Sequence, residues 1–229
     1  MKIEATKQGA WLDLLLVIAT AVLVKQAVYL VAWKFAGPAS MVSAFLVASA
    51  LLYRRGQTWR ELGLCWPKSK RGLLFLPLQI LLAFIAVVAL SLFAAEVIAP
   101  LIPKLETSED RFEGLYQNLP YFLLWLTIAV VQGGILEEAI YRGFLISRLR
   151  DALGTSGLAT LASVLLPAVF FGLRHAYYQG WFGALATGLM ALIFGLLYLM
   201  FRRNLAALII AHAMADVIGM TLRYTTAPN

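Results

Sequence analysis

Apolar residues run along this chain in long stretches, interrupted by short polar or basic clusters and lacking the two-residue alternation of half-buried strands. Seven stretches predict helices, at roughly 10–33, 38–53, 72–99, 120–141, 157–175, 181–201 and 204–222. Uncharged runs such as Leu73–Ala95 and Trp181–Phe201 exceed the ~18–20 apolar residues needed to cross the hydrocarbon as a helix. A soluble protein of this length can bury one such helix but not several. The pattern therefore predicts an all-α, polytopic membrane helix bundle of about seven to eight transmembrane helices. Continuous runs argue against a membrane barrel. No long polar segment separates the stretches, so residues 1–229 read as a single membrane domain.

Composition agrees. The chain is 62% hydrophobic and 14% charged, against about 45–50% and about 25% for soluble domains. The net charge of +7 does not point to nucleic acid, because Lys and Arg sit at the ends of apolar runs, where they set topology and meet lipid headgroups. The loop 54–71 carries Arg54, Arg55, Arg60, Lys68, Lys70 and Arg71 and is expected in the cytoplasm. The loop 103–116, with Glu106, Glu109, Asp110 and Glu113, is expected outside. Arg148, Arg150, Arg202 and Arg203 then fall inside, as does the N-terminus with Lys2 and Lys7, while the C-terminus falls outside. The first span reads as a retained anchor rather than a cleaved signal. The single cysteine, Cys65, leaves no internal disulfide and no Cys-rich metal site. Pro167 and Gly180 mark weak points in and after the fifth stretch. Gly180, Ala184 and Gly188 form a small-residue series suited to close helix packing.

Ionisable groups inside spans cost at least ~2.5–3.5 kcal/mol on insertion scales and persist when partnered or functional. Lys25 and Glu96 are scattered and read as structural. The remainder fall in three clusters: Glu137-Glu138 with Arg142, Arg174-His175, and His212 with Asp216. Adjacent glutamates on a helix point about 100° apart and cannot share one task. Glu138 and Arg142, four apart, can pair along one face. Glu137 is left on another face without a local cation, a setting that suits a general base. His175 and His212 are the only histidines in the chain, and both fall in predicted spans. Asp216 lies one helical turn beyond His212. The bland alternative is a buried polar network that only holds helices together.

Taken in order, Glu137-Glu138-xxx-Arg142, Phe171-xxx-His175 and His212-xxx-Asp216 resemble the three motifs of the CAAX protease and bacteriocin-processing (CPBP, or Abi) intramembrane proteases. The Glu61-Leu62-Gly63-Leu64 stretch after the basic loop is similar as well, so the resemblance spans roughly residues 58–220, with a motif-bearing core at about 120–222. It implies an intramembrane cavity enclosed by the later helices, in a multi-pass protein of a prokaryotic plasma membrane. It also implies an endopeptidase acting on membrane proteins or on lipidated, prenylated or otherwise hydrophobic C-terminal segments. Glu137 would activate water, His175 and His212 would hold water or the oxyanion, and Asp216 would complete the site. Glu138, Arg142 and Phe171 would support it. Lipids and a membrane-bound substrate are the expected partners, with no nucleic acid; no oligomeric state is implied.

Two chemistries satisfy these residues. Glu137 can act as base without a cofactor, which is the favoured reading. Alternatively His175, His212 and Glu137 or Glu138 could bind zinc, since two histidines and one carboxylate make a catalytic zinc set, although no His-Glu-x-x-His occurs. Two rivals stand beside the protease. One is a non-catalytic immunity or scaffold protein of the same family. The other is a rhomboid-like serine protease using Ser156 of Gly154-Thr155-Ser156-Gly157. The predicted helix ends also conflict with the site: they put Glu137 near the cytoplasmic end of its span and His175 near the outer end of the next. Either the segment after Arg142 starts deeper in the membrane, or the fifth span is shifted or broken near Pro167.

Overall fold

A computed structural model describes residues 6–102 and 111–227. Side-chain caps open several of its helices. The Thr6 hydroxyl accepts the Gly9 N–H at 3.1 Å ahead of α1 (Lys7–Ala32), and Ser69 does the same for Gly72 ahead of α3 (Lys70–Phe93). Asn118 caps α4 (Leu119–Ile128), with Pro120 in its first turn. Between α1 and α3 lies α2 (Ala36–Arg54). Beyond α4 the chain continues without interruption as a π-helix, Ala129–Leu145, and then as α5 (Ile146–Leu153). The remaining elements are α6 (Gly157–Met200) and α7 (Ala206–Thr225). The described residues contain no strand.

Among the described residues five helical runs are long and apolar enough to cross a membrane: Lys7–Arg54, Lys70–Leu101, Leu119–Leu153, Gly157–Met200 and Ala206–Thr225. The difference from seven stretches lies in two pairs that the sequence reading separates and the structure joins. α1 and α2 meet through the 3-10 turn Trp33–Phe35, after a break at Ala32 (φ −153°, ψ 62°). The two helices pack against each other, and α2 carries Ala36, Ser40, Ala44 and Ala48, a series of small buried side chains at four-residue spacing. α6 merges the fifth and sixth stretches around Gly180, whose φ of 65° and ψ of −170° lie outside helical geometry. Beyond Gly180 the chain returns along itself. A Cβ on Gly172 would meet the Ala184 carbonyl, Gly188 approaches Gly172 Cα within 3.6 Å of where its own Cβ would stand, and Gly195 faces Val164. The helix runs through Pro167, and its break is at Gly180 instead.

The basic clusters collect at one end. Asp13, 1% exposed, receives Arg55 Nε at 2.7 Å and pairs with Arg148 Nε at 3.0 Å. Arg148 also donates to Gln57, and Arg203 donates to the Ser147 hydroxyl at 2.6 Å. Gly63, at φ +93°, sits where a side chain would strike the Arg203 carbonyl, and its own carbonyl accepts from Leu205 N at 3.0 Å. The opposite end joins Gln117 N to the Tyr224 carbonyl at 3.1 Å. Of the acidic loop expected outside, Glu113 is exposed, while Glu106, Glu109 and Asp110, like Lys2 at the N-terminus, lie outside the described residues. Leu30, Val31 and Leu74 are 75%, 84% and 76% exposed. An apolar surface of this kind suits lipid and not water, and the chain is an integral membrane protein.

Candidate active site

The site is built on the π-helical run Ala129–Leu145. A π-helix pairs residue i with i+5, and such segments concentrate at functional sites. Here Gln132 Nε2 donates to Glu137 Oε1 at 2.5 Å, five residues along the chain. The two adjacent glutamates diverge as expected. Glu137 faces a cavity of about 390 Å³. Glu138, fully buried, turns the other way, where its Oε1 meets Arg142 Nη1 at 3.0 Å and His212 Nδ1 at 2.8 Å. Arg142 is held between the Phe171 and Phe194 rings, 5.1 and 5.4 Å from their centroids. Phe171 thus touches the arginine that pairs with Glu138, and it also packs against His175 at 4.4 Å between ring centroids.

α7 brings His212 and Asp216 against this segment across Gly133 and Gly134. A Cβ on Gly133 would collide with Asp216 Oδ2 and stand 3.7 Å from His212 Nε2; one on Gly134 would press on Ala213 at 3.1 Å. The paired glycines therefore create the room in which the imidazole and carboxylate sit. Because Glu138 engages Nδ1 of His212, its Nε2 is the nitrogen turned to the cavity, 3.8 Å from Asp216 Oδ2. His175 is oriented by backbone: its Nδ1 donates to the Phe171 carbonyl at 2.8 Å, leaving Nε2 as an acceptor in the neutral ring.

Glu137, His175, His212 and Asp216 all line the one cavity, together with Arg142 and Phe171. The predicted conflict over helix ends disappears because the helix bearing Glu137 does not stop at 141. It continues to Leu153, so Glu137 lies midway along its run, and His175 lies close to the Gly180 break. Ser156 is elsewhere. It is the exposed N-cap of α6, its hydroxyl accepting from Ala159 N at 3.3 Å, and it does not line the cavity, so the serine-protease alternative built on Ser156 is not supported there. Each imidazole bonds an oxygen through Nδ1 and keeps Nε2 available. Among the described residues no three His, Cys, Asp or Glu side chains are gathered to hold an ion.

The sequence reading passed over Gln132, since only ionisable groups in spans were weighed. A primary amide inside an apolar run beside Gly133-Gly134 is the signal that could have found it. It also passed over Asp13, Arg111 and Trp125. The last two line the cavity. Lys25 is tied down: its Nζ donates to the Arg174 carbonyl at 2.8 Å and sits over the Tyr177 ring. Glu96 is exposed, away from the cavity.

Residues 119–218, which hold every one of these motif residues, match the Rce1-like family, described as type II CAAX prenyl endopeptidase Rce1-like. No curated protein and no solved structure matches the chain.

Proposed function

We propose that this protein, whose segment 119–218 matches the Rce1-like CAAX prenyl endopeptidase family, is an intramembrane endopeptidase in which Glu137 activates the hydrolytic water. The observation that carries this reading is the convergence of Glu137, His175, His212 and Asp216 on one cavity within membrane-spanning helices. A site of this kind holds water where lipid excludes it, and groups so expensive to bury are kept for chemistry.

In the proposed reaction a water donates one hydrogen bond to Glu137 and another to Nε2 of His175. Glu137 takes its proton as the oxygen attacks the peptide carbonyl. The developing oxyanion receives a hydrogen bond from Nε2 of His212, an imidazolium held between Glu138 and Asp216. Glu137 then returns the proton to the leaving nitrogen and the C–N bond breaks. General base catalysis contributes typically 10²–10⁴-fold, and loss of one oxyanion donor costs about 10²–10³. Glu138 and Arg142 act through His212 and are positioning residues. Gln132 fixes the Glu137 carboxylate.

The proposed substrates are prenylated or otherwise hydrophobic C-terminal segments of membrane-associated proteins, entering from the lipid. The purified protein, mixed with a prenylated peptide and followed by mass, should cut one internal peptide bond. Glu137→Ala and His212→Ala should each stop the cut, and chelators should not. Cleavage that survives both substitutions removes the proposal, and chelator-sensitive cleavage removes its metal-free form.

A further inference from the structure

Beyond the reacting groups, the cavity carries a cation that the proposed chemistry does not use. Arg111, 6% exposed, lines the cavity wall. Its Nη2 donates to the Lys34 carbonyl at 2.9 Å and its Nη1 to the Tyr177 hydroxyl at 3.4 Å, while Nε is buried with no acceptor. The guanidinium lies over the Trp125 ring at 4.6 Å, and the Trp125 indole N–H is likewise buried with no acceptor. Trp125 lines the same cavity. Two neighbouring groups that can only donate thus both lack a partner.

Arg111 is not alone. Lys25 stacks at 3.8 Å on Tyr177, the ring whose hydroxyl Arg111 contacts, and bonds the carbonyl of Arg174. Arg174 is itself buried, donating to the Ala21 carbonyl and the Ser40 hydroxyl. Among the described residues no carboxylate forms an ion pair with any of the three; Asp13, Glu138, Asp151 and Asp216 pair with Arg55, Arg142, Arg148 and His212. Buried charges are ordinarily paired, so among the described residues this region of the cavity holds three cations without a direct ion pair and two donors without an acceptor. A two-oxygen anion satisfies both.

We propose that Arg111 and Trp125 receive the free C-terminal carboxylate of the substrate, so that the cut is placed by counting from the peptide's end. This rests on the endopeptidase reading above. The spacing suits it: the Arg111 guanidinium lies 4.8 Å from the Tyr178 ring, which lies 5.7 Å from the His175 ring. An extended peptide covers ~3.3–3.6 Å per residue, so an anchored carboxylate leaves a bond only a few residues upstream beside His175. Arg111 and Trp125 are then specificity-determining residues.

The test uses the full chain carrying Glu137→Gln, in detergent, with two fluorescent prenylated peptides of one sequence, one ending in a free carboxylate and one in a carboxamide. Hydrogen bonds to a charged group predict at least roughly tenfold tighter binding of the acid. Arg111→Gln should erase that preference. Trp125→Phe, which keeps the ring and removes only the N–H, should reduce it severalfold. Equal binding of acid and amide, or a preference that survives both substitutions, overturns the proposal. Should Arg111→Gln fail to fold, a photoreactive group at the peptide's last residue gives the answer. Labelling around Arg111, Trp125 and Tyr178 supports the anchor, and labelling of Val87 and Met190 on the apolar wall overturns it. Nanodiscs of phosphatidylglycerol and of phosphatidylcholine separate the other anion source: acid preference lost only in phosphatidylglycerol, with Arg111-dependent lipid binding, assigns the donors to a headgroup phosphate and overturns the peptide assignment. Wild-type cleavage is read separately. An acid preference without any cleavage keeps the carboxylate site and removes the endopeptidase.

Discussion

Glu138 shows how one side chain can serve the site without facing the cavity. Its carboxylate, shared between Arg142 and His212, fixes the imidazole so that Nε2 is turned to the cavity. Replacing it with Gln removes the charge but leaves Arg142 buried. Breaking a buried pair from one side costs ~3–5 kcal/mol, so Glu138→Gln is expected to lower the thermal midpoint in detergent as well as the rate. Gly133→Val should separate the two effects. A side chain there must displace Asp216, so cleavage is expected to fall at least tenfold while circular dichroism keeps its helical signal. The divergence of Glu137 from Glu138 and the Glu138–Arg142 pair were legible because charge in an apolar run is conspicuous and the (i, i+4) spacing suits a pair. Gln132 was not, since it meets Glu137 only when the backbone winds as a π-helix, and nothing in residue order distinguishes that winding from an α-helix.

At the level of elements, the α6 return is the device that carries His175 to the cavity. Its two limbs approach through Gly172, Ala184 and Gly188, the small-residue packing read from the sequence with Gly172 in place of Gly180, around which nothing packs. Overpacking typically costs about 1–3 kcal/mol. Gly172→Leu is therefore expected to lower the thermal midpoint and, by moving the helix three residues from His175, the rate as well. An unchanged midpoint would show that the limbs are not in contact. The pattern placed the apolar stretches well but not their ends. The segment after Arg142 looks like a charged loop because Arg148, Arg150 and Asp151 follow within ten residues. Yet Arg148 is buried against Asp13 of α1, and that long-range partner keeps the helix going to Leu153. Pro167 looked like a breaker and is accommodated inside α6, as proline often is in membrane helices.

For the whole molecule, the basic groups and the start of α1 share one end, and the end of α7 lies at the other. The positive-inside rule assigns the basic end to the cytoplasm. Cys65, the single cysteine, belongs to that end through its contact with Asn204. A membrane-impermeant maleimide should therefore leave wild-type protein unlabelled in intact cells and label it once they are opened, whereas Thr226→Cys should label in intact cells. The reverse pattern would invert the topology and place the carboxylate-binding end on the cytoplasmic side. The gathering of the basic clusters at one end was readable from their placement between apolar runs, whereas the cavity itself arises only when α3, α4, the π-helix, α6 and α7 come together. The most direct test of that cavity as a hydrolytic site is kcat/KM for a prenylated peptide with reconstituted Glu137→Gln against wild type. A Gln nearly matches Glu in shape but cannot take a proton from water, so the ratio should fall by about 10²–10⁴ at an unchanged thermal midpoint. A ratio near one would contradict Glu137 as the base.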